Sequence, residues 1–173
     1  MQLETTRLIL RSLCEDDWPF FLALHQLPSV MKFVADIEQE PQILARFNER
    51  SAPWSKENQG WLTLLIIEKE SNRAVGLTGF LSRWHPYQQA EVGFMIHPDA
   101  QGAGYGYESL LSVLHFAAAG CGFHKITATV TEGNEGSVAL LTKAGFELEG
   151  RLKDNFRIHN QWCNDLVFAY WPS

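Results

Sequence analysis

A chain of 173 residues, 46% hydrophobic and with six tryptophans, suits one domain with a buried core and is too apolar to remain disordered. Its formal net charge of −6 and pI near 5.5 speak against sequence-independent binding of nucleic acid, which needs Lys and Arg to neutralise phosphates. No run approaches the ~18 apolar residues of a membrane span, and "MQLETTRLILRSL" lacks the apolar stretch of a secretory signal, so a cytoplasmic address is expected.

In chain order, "RLILRSL" (7–13) alternates as a short strand does. "EDDWPFFLALHQL" opens with acids and then spaces Phe20, Phe21, Leu24 and Leu27 helically, with the carboxylates at the positive end of the helix. Residues 40–50, "EPQILARFNER", predict a second helix with Pro41 in its first turn. From Trp61 the period changes: "WLTLLIIEK" (61–69), "AVGLTGFLSRW" (74–84) and "QAEVGFMIH" (89–97) read as three strands, the first two joined by a turn at "ESNR". A helix over about 104–119 places Leu110, Leu114 and Ala117 on one face, and "KITATVT" (125–131) follows as a strand. Asn134 is placed to cap a short helix reaching about Ala144, with Gly145 as its left-handed cap. "FELEGRLKDNF" and "WCNDLVFAYW" close the chain as two strands, giving a single α+β (mixed α/β) domain over residues 1–173.

The stretch "HPDAQGAGYGYESLLSVLHFA" (97–117) crowds Gly102, Gly104 and Gly106 at the mouth of the longest predicted helix, although glycine costs roughly 1 kcal/mol against alanine inside a helix. A helix start offers unpaired N–H groups and a positive dipole end, and glycines let an anion approach without a Cβ in the way. The loop is therefore a candidate phosphate cradle, and it carries no cation of its own. It lacks the lysine of a nucleotide P-loop. A dinucleotide fingerprint also fails, because the third glycine arrives one residue early and "HPDAQ" separates the loop from its strand.

The spacing that fits is Q-x-x-G-x-G, at Gln101, Gly104 and Gly106, and here the sequence resembles the GCN5-related N-acetyltransferase (GNAT) superfamily. "TTRLILRSLCEDDW", "AEVGFMIHPDAQGAGYGYESL", "TVTEGNEGSVALLTKAGFELEG" and "RIHNQWCNDLVFAYW" extend the resemblance over essentially the whole chain, toward the RimJ/RimL-type branch that acetylates ribosomal-protein N-termini. The resemblance implies a twisted, mostly antiparallel mixed sheet of about seven strands flanked by helices, with the fourth and fifth strands splayed. It further implies direct transfer from acetyl-CoA to a primary amine, either a protein N-terminus or a small amine such as a polyamine, amino sugar or amino acid. A catalytically silent acyl-CoA-binding module is the alternative, and a monomer or homodimer fits either.

On that resemblance the diphosphate of coenzyme A is held by the amides of Gly102, Ala103, Gly104, Tyr105 and Gly106 and by the side of Gln101. The pantetheine arm runs along Phe94, Met95 and Ile96, and one of their N–H groups faces the thioester oxygen. Glu91 shares a strand face with Gly93 and Met95 and is the candidate base, unless it is a strand carboxylate paired with a nearby Lys or Arg. Asn134 and Ser137 are a helix cap and a first-turn hydroxyl by pattern, and cofactor and catalytic contacts by resemblance. The tyrosine acid that many superfamily members carry seven residues after that asparagine is replaced by Leu141. Phe33, Trp54, Trp84 and Tyr87 are candidate acceptor-binding aromatics, and Asp154, Asn155 and Asp165 are candidates for holding a cationic acceptor. The histidines lack metal-ligand spacing, and Cys14, Cys121 and Cys163 form no C-x-x-C pair, so no metal site and no disulfide framework are expected.

Overall fold

A computed structural model describes residues 1–173. Eight strands form one sheet: β1 (Gln2–Glu4), β2 (Leu8–Ser12), β3 (Trp61–Glu68), β4 (Arg73–Arg83), β5 (Gln89–Ile96), β6 (Lys125–Thr131), β7 (Glu147–Ile158) and β8 (Gln161–Tyr170), in the order β1-β2-β3-β4-β5-β6-β8-β7. The helices are α1 (Trp18–Gln26), α2 (Pro28–Met31), α3 (Glu40–Ser51), α4 (Tyr105–His115) and α5 (Glu135–Lys143), and a π-helical turn, Phe116–Gly120, extends α4. The seven strands read from the sequence are present. The eighth, β1, is only three residues long and pairs with the outer edge of β2. No helix is long and apolar enough to cross a membrane.

β3 shows how the layers form. Its side chains alternate between faces, and both faces are covered: Leu62, Leu64 and Ile66 join a cluster with Leu110 and Val113 of α4 and Leu141 of α5, while Leu65 and Ile67 join Phe21 and Leu24 of α1 and Ile43 and Phe47 of α3. A strand buried on both faces reads as a continuous apolar run. "LTLLII" is one.

β5 and β6 are parallel neighbours, but their register covers only Gln89↔Lys125, Ala90↔Ile126 and Glu91↔Thr127. Beyond Glu91, β5 stays with its antiparallel partner β4 as far as Ile96, and β6 stays with β8 as far as Thr131, so the two separate into a V. From Gly93 onward the β6-facing edge of β5 has no strand partner. This is the splay expected between the fourth and fifth strands, since β1 was not among the strands counted.

The turn from β2 into α1 is pinned by Arg11, whose two Nη atoms donate to Asp17 at 2.7 and 2.8 Å, with the Cys14 amide adding a third bond at 2.8 Å. Burial pushes the Asp17 carboxyl up, but these bonds outweigh it and hold it below the ordinary carboxylate range. His25 is buried, stacks on Phe21 at 4.1 Å and donates from Nδ1 to the Phe21 carbonyl at 2.7 Å. Burial lowers its pKa below 6.5. Between that lowered value and 6.5 the unfolded chain binds more protons than the folded one, so stability is lost as pH falls through this window. Thermal melts at pH 7.5 and 5.5 should show a smaller drop in Tm for His25→Gln than for the wild type. Equal drops would remove His25 from the account.

Candidate active site

The V between β5 and β6 opens into two cavities, of about 480 and 650 Å³, that share Phe33, Val34, Phe94, Met95, Asn134 and Ser137. The larger runs from this junction to the glycine loop and the mouth of α4, lined also by Ile96, Gln101, Gly102, Gly104 and Lys143. The smaller lies against α1 and α3, lined by His25, Arg50, Trp61, Glu91 and Asp165 among others.

The loop explains its glycines. Gly102 and Gly104 adopt φ of +79° and +84°, which a side chain disfavours, and Gly104 is the N-cap of α4. Gly106 serves a different need: a Cβ there would lie 2.8 Å from Leu140 Cδ1, so its absence lets α4 approach α5. No amide from Gly102 to Tyr107 donates to another backbone group of the chain. A consecutive run of such donors at a positive helix end is a cradle for a diphosphate.

Two details of this loop are not announced by its local sequence. The Gln101 side chain donates from Nε2 to the Ile96 carbonyl at 3.0 Å, which braces the loop against the end of β5 and leaves its second N–H for another acceptor. The loop is also not without cations. Arg7 donates from Nη1 to the Ala103 carbonyl at 2.8 Å and is paired with Glu108 at 2.7 Å, while Lys143 lines the cavity above the Tyr107 ring. Both cations arrive from distant segments, so no local motif announces them.

On the other side of the junction, strand registers place Trp61, Thr63 and Leu65 of β3 on one face with Glu91, Gly93 and Met95 of β5. Trp61 reaches across to β5, its ring 3.1 Å from where a Gly93 Cβ would stand. Arg50 of α3 lies over that ring at 4.3 Å and donates to Thr63 Oγ1 at 3.3 Å. Burial, and next the charge of Arg46, lower the Arg50 pKa to about 10. Arg46 itself is paired with Glu38 at 2.5 Å, and Asp165, buried, accepts from Asn155 at 2.8 Å. Trp61 and Arg50 are missed by the sequence reading: Trp61 looks like an ordinary strand start, and nothing local brings α3 over β3.

Glu91 lines the smaller cavity and is also a strand carboxylate paired with an arginine, since its Oε2 accepts from Arg83 at 2.7 Å. Asn134 caps α5, its Oδ1 accepting from the Ser137 amide at 3.3 Å, and both residues stand at the junction. Leu141 is fully buried in the sheet-facing cluster. Phe33 lines both cavities.

The other three aromatics do not line the cleft. Trp54 packs edge-on against Phe80 at 5.4 Å and donates to the Gly60 carbonyl, and Trp84 packs against Phe123 at 5.4 Å beneath Lys56. Tyr87 is 70% exposed. The first two belong to the α4-side core, which draws in large apolar rings wherever the loop sequence supplies them. Asp154 is an exposed residue of β7 with φ of +48°.

A splayed sheet with a free strand edge, meeting an amide-lined loop at a helix mouth, defines a protein that binds an acyl-CoA and presents it to a second substrate. The chain belongs to the acetyltransferase (GNAT) domain family, whose model matches residues 7–147, and it is an acetyl-CoA-dependent enzyme that transfers acetyl to an amine. It is similar to YoaA, an uncharacterised N-acetyltransferase of Bacillus subtilis (strain 168), at 29% identity over 87% of this chain and 85% of that protein. It is 25% identical to an L-methionine sulfoximine/L-methionine sulfone acetyltransferase of Pseudomonas aeruginosa, over 78% of this chain and 88% of that one. Its fold matches the spermidine N-acetyltransferase of Vibrio cholerae solved with CoA and spermine, with a TM-score of 0.84 at 20% identity over 96% of each chain. Ribosomal-protein acetyltransferases share the fold as well, so the likeness extends across several branches rather than to the RimJ/RimL type alone.

Proposed function

We propose that the chain acetylates a small primary amine held in the cavity against α1 and α3. One observation supports this most: the run of unpaired amides from Gly102 to Tyr107 leads along the free edge of β5 to a junction that opens on a second cavity. That cavity, about 480 Å³ and lined by ionic groups within a largely apolar wall, has the size and chemistry of a small-molecule site. Relatives acting on an amino-acid derivative and on a polyamine agree with a small acceptor.

Acetyl-CoA supplies an activated acetyl group when bound. The amides of the glycine loop hold its diphosphate, with Arg7 and Lys143 adding positive charge nearby. Phe94 and Ile96, on either side of Met95, offer main-chain groups on an edge that no strand occupies, and one of these N–H groups would donate to the acyl oxygen and stabilise negative charge there. The amine must attack neutral, although α-amines have a pKa near 8 and lysine-type amines one near 10.4. Glu91 collects that proton, through water, with Oε1 while Oε2 stays on Arg83. Asn134 orders the junction from its cap position, and the Ser137 hydroxyl, which lines both cavities, would be available to the leaving thiolate.

Positioned general bases contribute about 10²–10⁴-fold. Glu91→Gln should therefore lower kcat by about 100-fold, measured by thiol release, and leave the Kd for acetyl-CoA unchanged in a calorimetric titration. Retention of more than a third of the wild-type rate would return Glu91 to a purely structural partner of Arg83.

A further inference from the structure

The acceptor-side cavity contains several ionisable side chains, and their partners differ. Glu38 has Arg46, Glu91 has Arg83, and Asp165 has the neutral Asn155 amide. His25 has its Nδ1 proton tied to the Phe21 carbonyl and is kept neutral by burial. Arg50 alone among the cavity's cations has no carboxylate within ion-pair distance. It is held in place all the same, over the Trp61 ring and bonded to Thr63 Oγ1, with fork positions left for another acceptor.

A partly buried guanidinium without a counter-anion is costly, and planar paired donors match a carboxylate. The row Thr63↔Gly79↔Gly93 places Arg50's hydrogen-bond partner two strands from the free edge of β5, roughly 10 Å by ordinary strand spacing, and the Trp61 ring covers part of that distance. We propose that Arg50 anchors a carboxylate of the acceptor, so that the substrate class is an amino acid, with the amine at the β5 edge and the acid on α3. Asp165 and Glu91, which line the same cavity, receive the ammonium end before it loses its proton. A polyamine would instead bring a second positive charge against Arg50. This inference rests on the proposed small-amine acetyltransferase function and narrows it.

The test compares thiol release from acetyl-CoA with L-methionine, L-phenylalanine and γ-aminobutyrate against their carboxamides and against spermidine. A site built for a charged group discriminates strongly against an analogue lacking it, so at least one free acid should exceed its carboxamide about 10- to 100-fold in kcat/KM, and spermidine should trail that acid. Arg50→Met should erase the acid-to-amide ratio, and Arg50→Lys should retain part of it. Equal rates for acids and amides, a preference for spermidine, or a ratio unchanged in Arg50→Met would overturn the proposal. If Arg50→Met does not fold, the wild-type ratio decides alone. Calorimetry of the CoA-loaded protein with N-acetyl-L-methionine and its carboxamide separates the two levels of the argument. If no amine is acetylated, the proposed function fails, while tighter binding of the acid still supports the Arg50 anchor and equal binding overturns it.

Discussion

Gly102→Asp is expected to weaken binding of CoA about 100-fold, close to 2.8 kcal/mol, while Gly102→Asn weakens it only a few-fold. The two side chains have nearly the same shape, and both tolerate the left-handed backbone that Gly102 adopts at φ of +79°. No atom lies within 4 Å of a Cβ built at this position, so neither variant should disturb the fold. They differ in charge. Aspartate would place a carboxylate where the unpaired amides await an anion, competing for their hydrogen bonds and repelling a diphosphate, and juxtaposed like charges cost several kcal/mol. Calorimetric titration of both variants with CoA, beside their melting temperatures, checks this. Equal affinities for Asp and Asn would mean that the loop does not hold the phosphates.

Phe80→Ala should cost about 3–5 kcal/mol, a large share of the roughly 5–15 kcal/mol that stabilises a typical domain. Phe80 is fully buried on β4 and meets Trp54 and Phe123 edge-to-face, each at 5.4 Å, and Phe116 at 6.3 Å. Three rings from three separate segments close around it, so little backbone is free to collapse into the space left behind. Urea unfolding measures the loss. The protein that remains folded should bind CoA normally, because the glycine loop follows the far end of β5. A cost below about 1 kcal/mol would mean that the aromatic cluster relaxes, and that Trp54 and Trp84 are not fixed by it.

The same cluster marks where sequence reading fails. An aromatic in a loop looks identical whether it faces a cleft or closes a core, and Trp84 and Trp54 close a core. Trp61 shows the converse, since its position in the cleft depends on the register of three strands. The strands themselves were legible because alternation and apolar runs are local properties. β1 was not, because three residues with only Leu3 partly buried give no period to read, and α2, a single turn, is too short as well. The glycine loop was legible in type, through spacing alone, but not in its fittings: the Arg7–Glu108 pair and the Gly106–Leu140 contact join segments far apart in sequence. The bond from Gln101 to the Ile96 carbonyl, which braces the loop against β5, is likewise invisible in the spacing. Glu91 had two readings in the sequence, and the bond to Arg83 satisfies one without excluding the other.

On the proposed function, one continuous path, the amides at the mouth of α4 followed by the unpaired edge of β5, receives coenzyme A. Amide hydrogen exchange with and without CoA tests it directly, because the amides of residues 102–107 and, by the alternation of hydrogen bonds between β4 and β5, those of Phe94 and Ile96 exchange with solvent until a ligand oxygen covers them. Protection should appear on CoA addition at residues 102–107 and at Phe94 and Ile96, with residues 61–67 of β3 unchanged. Protection confined to other segments, or none in the loop at saturating CoA, would contradict it.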